Sequence, residues 1–188
     1  MTAPPQAAGR ASVRFMLGHP ARWLALGLGS GLSPRAPGTV GTLWAWASFL
    51  VLAPWLQAAD WAVLILAAFC VGVWACTRTA RDLGMADPGA IVWDEIVAFW
   101  LVLWLVTPSG WWMQCLAFAL FRYFDAVKPG PVGWADALFK RRPGQPIGWA
   151  QGFGILFDDL VAAGCTLLVL ALGLQAAPVL QSWWWGGP

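Results

Sequence analysis

Acidic side chains are scarce in this sequence, which has nine Asp and Glu residues among 188 and a single glutamate, Glu95. Charged residues of both signs make up 11% of the chain, whereas a soluble domain typically carries roughly 25%. The net charge of +2 is too small to imply a nucleic-acid partner, and the sequence has no basic stripe with interleaved aromatic residues. The composition therefore favours a membrane protein.

Histidine is also nearly missing, and none of the cysteines is placed for catalysis. His19 is the sole histidine, which excludes chemistry that needs two histidines. The four cysteines lie inside apolar runs without C-x-x-C spacing, so we interpret them as small buried hydrophobic residues. The sequence contains no G-x-S-x-G elbow and no Asp-x-Asp pair. The chemistry that remains is that of carboxylates, a metal ion, and arginine or lysine.

The sequence contains five apolar runs whose lengths are close to that needed to cross a bilayer. They predict an all-α, polytopic membrane protein in one domain, with a cytoplasmic N-terminal segment at 1–39, a helical bundle at 40–174 and a Trp-rich tail at 175–188. The predicted spans are about Val40–Leu56, Trp61–Thr77, Ala90–Val106, Trp111–Phe124 and Ile155–Leu174.

The distribution of charge orients these five spans. All eleven Lys and Arg residues, from Arg10 to Arg142, then fall on one side, which the positive-inside rule makes cytoplasmic. Eight of the nine carboxylates share that side, and only Asp60 does not. Tryptophans at the other ends predict an outer aromatic belt. These are Trp55, Trp61, Trp111, Trp112 and Trp183–Trp185.

Six of the nine acidic residues fall into four tight spots at the ends of apolar runs, namely Asp94-Glu95, Asp125, Asp136 and Asp158-Asp159. Crowded carboxylates repel one another unless a cation or a proton holds them together. The pattern predicts a divalent-metal site at the membrane surface. Structural alternatives exist for two of the spots. The first pair could form an ion pair with an arginine such as Arg122, and one Asp of the last pair could cap the helix that starts there.

Two further segments supply candidate phosphate-binding groups. Arg122 and Asp125 are three residues apart and share a helix face, with Lys128 one turn further on. They indicate either a salt bridge or an acid for a metal beside two cations for phosphate. The glycine-rich segment 29–42, which contains Arg35 and Thr39, could cradle an anion before the first span or be a plain loop. We expect Asp136 to lie in a loop, and the glycines and prolines of Lys140–Gly154 predict a further loop.

Four ordered motifs show that the chain resembles the phosphatidylglycerophosphatase A family of Mg²⁺-dependent lipid phosphatases of the bacterial inner membrane. They are GSGLSPRAPGTVGT at 29–42, DPGAIVWDEIVAFW at 87–100, FRYFDAVKPGPVGWAD at 121–136 and GFGILFDDLVAAG at 152–164. The resemblance implies hydrolysis of phosphatidylglycerophosphate to phosphatidylglycerol and inorganic phosphate at a cytoplasm-facing site.

The resemblance and the residue inventory together suggest roles for the acidic and basic residues. The expected Mg²⁺ ligands are Asp94, Glu95, Asp158 and Asp159, with Asp125 and Asp136 completing or orienting the shell. The expected phosphate-binding residues are Arg122, Lys128, Arg35, Gly38 and Thr39. The expected proton acceptor for the attacking water is Glu95, with Asp94, Asp159 and Asp125 as further catalytic candidates.

Two other classes of function remain open from the sequence. Carboxylates within a bundle could form the permeation site of a divalent-cation transporter or channel, although here they gather on one face. A non-catalytic membrane scaffold would lose no activity when the acids become amides. The basic residues Lys140, Arg141 and Arg142 provide either positive-inside charge or attraction to anionic headgroups.

Overall fold

A computed structural model describes residues 11–141 and 145–185, with side chains as far as Ala176. Arg10, Arg142 and the side chains of Trp183–Trp185 lie outside the described residues. Within the described ranges every regular element is helical, which confirms the all-α class. The α-helices are α1 Val13–Leu17, α2 Pro20–Ala25, α3 Pro37–Leu52, α4 Ala58–Leu83, α5 Trp93–Val106, α6 Trp111–Val127, α7 Pro131–Leu138 and α8 Trp149–Trp185, with a 3₁₀ segment at Gly27–Leu32.

Two helices are long and apolar enough to cross a membrane, α4 and the Trp149–Ala176 part of α8. The other three predicted spans correspond to α3, α5 and α6, which have 16, 14 and 17 residues. A helix rises about 1.5 Å per residue, so α5 is about 21 Å long against a hydrocarbon core of about 30 Å. Two candidate spans therefore stand, and the full set of five is not confirmed.

Helix α5 forms the centre of the bundle. Its side chains Ile96, Phe99 and Leu103 are completely buried, because α3, α4, α6 and α8 all pack around it. Trp61 belongs to this core and is only 3% exposed, with its ring tilted against Phe49 and edge-to-face with Trp100. Its placement in an outer aromatic belt is therefore wrong: an indole on the inner face of α4 fills space between helices.

Helix α8 begins at Trp149, well before the predicted start of the fifth span. The stretch Lys140–Gly154 was expected to be a loop because of its glycines and prolines, but Gly152 and Gly154 lie inside the helix. A Cβ at Gly152 would overlap Thr77 Oγ1 and lie 2.8 Å from the Val73 carbonyl oxygen. These glycines therefore serve close helix packing.

Proline at the first helical position starts two helices in segments that the sequence predicted to be loops. Pro37 starts α3, so Gly38 and Thr39 lie in its first turn and not in a loop. Pro131 starts α7 in the same way, so the prediction of a loop around Asp136 is wrong. Proline fits this position because its fixed φ suits a helix and its missing N–H would have no partner there.

Candidate active site

The first turn of α5 holds Asp94 and Glu95, and two hydrogen bonds fix where this turn lies. The Val92 N–H donates to the Ala25 carbonyl at 2.9 Å, and Trp93 Nε1 donates to the Ala68 carbonyl at 3.0 Å. Val92, the N-cap residue, provides no side-chain hydrogen bond to the helix. The open N–H groups and the helix dipole favour negative charge at this end. The position of both carboxylates is thus set by α2 and α4.

Asp159 of α8 joins this pair, and we refer to Asp94, Glu95 and Asp159 as the acidic trio. One carboxylate oxygen from each lies within 4.8 Å of the others. Glu95 is 9% exposed and Asp159 3%, and Asp94 is partly buried. The helices can approach because Gly72 of α4 lies between them. A Cβ there would be 2.7 Å from Trp93 Cδ1 and 2.8 Å from Leu156 Cδ2.

The trio fits a hard divalent cation. Asp94 Oδ1, Glu95 Oε2 and Asp159 Oδ2 are buried and have no hydrogen-bond partner among the described residues. Buried polar atoms normally have partners, and three acceptors this close repel one another. Carboxylate oxygens are also the protein ligands that Mg²⁺ takes. The donor set and its unsatisfied oxygens could therefore hold a cation.

Arg122 of α6 lies on one flank of the trio. Its Nη1 is 3.6 Å from Glu95 Oε1, forms an ion pair with Asp125, and lies 3.4 Å from Thr42 Oγ1. A Cβ at Gly38 would overlap Glu95 Oε1 and lie 3.1 Å from both terminal guanidinium nitrogens. The ion pair with Arg122 thus exists, but it occupies only one oxygen of Glu95.

Lys128 lies at the C-cap of α6 and belongs to a chain of alternating charges that includes Asp158, the neighbour of Asp159. Its Nζ is 2.8 Å from Asp136 Oδ1 and pairs with Asp158, and Lys140 pairs with the second oxygen of Asp136. Burial alone would lower the pKa of Lys128, but hydrogen bonds to Asp136 and Asp158 outweigh it and raise that pKa. Lys128 is therefore a fixed positive charge.

Asp136 is held in its charged form by the same contacts. Partial burial would raise its pKa, but hydrogen bonds from Lys128 and Lys140 outweigh this and hold the pKa of Asp136 below its ordinary value. In the structure Asp136 is thus joined to the site through Lys128, since its two oxygens face ammonium groups.

Asp158 and Asp159 lie about two and a half turns into α8, so neither caps its N-terminus. Arg35 is exposed on the turn before α3, and no ion pair joins it to an acidic residue in the described part of the chain. Thr39 is partly buried in the first turn of α3. The structure brings the other predicted site residues together.

Sequence reasoning missed the structural importance of Thr42 and Gly72. Thr42 is completely buried, donates to the Gly38 carbonyl at 2.8 Å and accepts from Arg122. A threonine four residues after a glycine inside an apolar run was the available signal. The sequence offers no such signal for Gly72, because a glycine within a long apolar run does not show which neighbouring helix it faces.

The assembled site combines three carboxylates with two cations of α6. Arg122 pairs with Glu95 and Asp125. Lys128 pairs with Asp136 and with Asp158, the neighbour of Asp159. Such cations form charge-assisted hydrogen bonds to phosphate oxygens, and a cation between the carboxylates would add positive charge beside them. The arrangement is suited to the transfer of a phosphoryl group to water.

Comparison with known proteins agrees with this chemistry. Residues 23–174 match the family model described as phosphatidylglycerophosphatase A. Phosphatidylglycerophosphatase A of Escherichia coli is 36% identical over 167 residues, covering 86% of this chain and 88% of that protein. The protein of the same name from Haemophilus influenzae is 35% identical, covering 84% and 90%.

A third relative differs in name. It is a putative phosphatidylinositol-3-phosphatase of Bacteroides thetaiotaomicron, 34% identical over 78% of this chain and 88% of its own length. No solved structure matches the chain. The family match covers most of the sequence and both helices of the acidic trio, and the chain therefore belongs to the phosphatidylglycerophosphatase A family.

Proposed function

We propose that the chain is a phosphoric monoester hydrolase that converts phosphatidylglycerophosphate to phosphatidylglycerol and inorganic phosphate in phospholipid biosynthesis, with Mg²⁺ as its cofactor. Family membership supports the reaction. The observation that carries the cofactor is the acidic trio. One oxygen of each carboxylate lies within 4.8 Å of the others, and each carboxylate has a buried oxygen without a partner among the described residues.

The acidic residues divide into two groups in this proposal. Asp94, Glu95 and Asp159 hold the divalent cation directly. The other three, Asp125, Asp158 and Asp136, orient the surrounding shell, because each is paired with Arg122 or Lys128. When bound, Mg²⁺ supplies positive charge that stabilises the phosphoryl group as charge develops on it.

The basic residues bind the phosphate and Glu95 accepts the proton. Arg122 and Lys128 of α6 hold the phosphate. Gly38 lets the first turn of α3 lie against Glu95 and Arg122, since a Cβ there would overlap Glu95 Oε1, and Thr39 and Arg35 line the approach. The proposed proton acceptor is Glu95, whose Oε1 lies 3.6 Å from Arg122 and whose Oε2 has no partner among the described residues.

The site is proposed to face the cytoplasm from a multi-pass inner-membrane bundle of five spans. The apolar length of α4 and α8 supports embedding, and the single-sided Lys and Arg distribution supports the orientation. The lipid tails then stay in the bilayer while the headgroup bends into the site, which explains why a phosphatase would be embedded in a membrane.

Phosphate release tests this function. Detergent-solubilised protein is assayed with phosphatidylglycerophosphate in mixed micelles, with MgCl₂ or with EDTA. We expect phosphate release to require Mg²⁺. It should be lost in Asp94→Asn and kept in the matched control Asp60→Asn. Asp60 is exposed in the first turn of α4, where its side chain caps the N-terminus of the helix. Mg²⁺ uptake into proteoliposomes without phosphate release would instead establish the transporter class.

A further inference from the structure

A small pocket of about 60 Å³ opens beside Asp158, the neighbour of Asp159 in the acidic trio. It lies between the end of α7, the first turns of α8 and the turn that follows α4. Its charged lining contains both signs, from Asp87, Asp136, Asp158, Lys140 and Arg141.

Asp158 gives the pocket an acceptor that requires a partner. Neighbours on a helix point about 100° apart, so Asp159 faces α5 while Asp158 faces Lys128 and the pocket. The residue is only 5% exposed, yet Oδ1 has no hydrogen-bond partner in the described ranges. The other oxygen already accepts from Lys128. A hydroxyl donor in the pocket would satisfy Oδ1.

Lys140 and Arg141 give the pocket donors for an anion. Lys140 is fixed at its rim by Asp136, which takes one of the three ammonium N–H groups and leaves two. The Nε of Arg141 donates to the Gln145 carbonyl, and the two terminal nitrogens of the guanidinium have no partner among the described residues. Both residues are exposed at the mouth of the pocket. The ligand that matches this lining has an anionic oxygen and a hydroxyl group close together.

We propose that this pocket binds the linker of the lipid headgroup, with Lys140 and Arg141 on its phosphodiester and Asp158 Oδ1 on its hydroxyl. The inference rests on the proposed function, since the headgroup of phosphatidylglycerophosphate carries both groups between the lipid and the terminal phosphate. Asp158 and Asp159 are adjacent, so the linker occupies the pocket while the terminal phosphate reaches the trio. The pocket therefore determines substrate specificity.

Kinetics with paired substrates test the proposal. Phosphatidylglycerophosphate is compared with phosphatidic acid, which has a terminal phosphate but neither the phosphodiester nor the linker hydroxyl. Phosphatidic acid is measured as a substrate and, where its turnover is too slow, as a competitive inhibitor, so that its affinity is obtained either way. The variants are Lys140→Gln and Arg141→Gln, with Arg14→Gln as control because Arg14 is an exposed cation on α1.

Each pocket variant is expected to raise KM for phosphatidylglycerophosphate about tenfold, the loss expected for one charge-assisted hydrogen bond. Both variants should keep kcat and their affinity for phosphatidic acid. Equal losses for the two lipids, or an equal loss in Arg14→Gln, would mean that the cations act by general attraction to an anionic surface and would overturn the proposal. Unchanged kinetics in both pocket variants would also overturn it.

A substrate analogue that lacks only the linker hydroxyl tests the Asp158 contact. The wild type should bind it about tenfold more weakly than the natural headgroup, because a buried acceptor is left without a donor; equal KM values would refute this contact. Failure of the wild type to release phosphate from phosphatidylglycerophosphate with Mg²⁺ would refute the proposed function. An active wild type that does not discriminate between these lipids would refute only the linker site.

Discussion

Asp159→Asn is expected to abolish hydrolysis and, at the same time, to make the metal-free protein more stable. The three carboxylates of the trio lie within 4.8 Å of one another. At an effective dielectric constant of about 20, two unit charges at this distance repel by about 3.5 kcal/mol. The substitution removes two such pairs, which amounts to about 7 kcal/mol if all three groups are charged.

Proton uptake sets a limit on this gain. Protonating a carboxyl group of ordinary pKa at pH 7 costs about 4 kcal/mol, so the wild type would protonate one member of the trio before bearing a larger repulsion. We therefore expect metal-free Asp159→Asn to be more stable than the metal-free wild type by up to about 4 kcal/mol. For a chain of this size this raises Tm by up to about 16 °C.

Thermal unfolding of detergent-solubilised protein in EDTA and in MgCl₂ measures both effects. The wild type should gain stability with MgCl₂, since a ligand that binds only the folded state stabilises it, and Asp159→Asn should not. The control Asp60→Asn should keep the Mg²⁺ response and the activity. The reasoning is refuted if Asp159→Asn lowers Tm in EDTA while MgCl₂ still stabilises it as it does the wild type.

Three further substitutions test the packing and charge around the site. Gly152→Ala should destabilise the protein by about 1–3 kcal/mol through overpacking and reduce kcat. The control Gly173→Ala, with open space around its Cβ, should not destabilise it. Equal effects of the two substitutions in chemical unfolding and turnover would contradict this. Arg122→Gln should lower kcat/KM at least about a hundredfold, because it removes a cation proposed to contact the phosphate; steady-state kinetics with near-normal values would remove it from the site. Asp136→Asn should reduce the loss of stability in acid. Because the pKa of Asp136 is lowered in the folded protein, its charge stabilises the fold fully above about pH 4, and this contribution is lost as the pH falls through the lowered value. Identical pH–Tm curves for the variant and the wild type would disprove this.

The sequence predicted the meeting of the acidic residues because their chemistry leaves few alternatives. The chain has nine carboxylates, and placing Asp94-Glu95 and Asp158-Asp159 at the ends of apolar runs costs too much free energy to be incidental. The structure brings Asp94, Glu95 and Asp159 together. The i, i+3 spacing of Arg122 and Asp125 offered a salt bridge as one of two alternatives, and the structure contains this ion pair. Charge and helical spacing are local properties that the sequence records directly.

Features that depend on the neighbouring helix could not be predicted in this way. Gly152 reads as a loop residue, and only the contact with Thr77 shows that it allows two helices to approach. Trp61 reads as an interfacial residue, and only the packing of Phe49 and Trp100 shows that it belongs to the core. Glycine and tryptophan each suit two environments, and tertiary contacts decide between them.

The location of a bound cation tests the central claim most directly. Mn²⁺ can replace Mg²⁺ at oxygen sites, and its anomalous scattering can be located in crystals of the protein. The account predicts one strong anomalous peak within about 2.3 Å of an oxygen from each of Asp94, Glu95 and Asp159. A peak elsewhere, with the trio holding no ion at Mn²⁺ concentrations that support phosphate release, would contradict it.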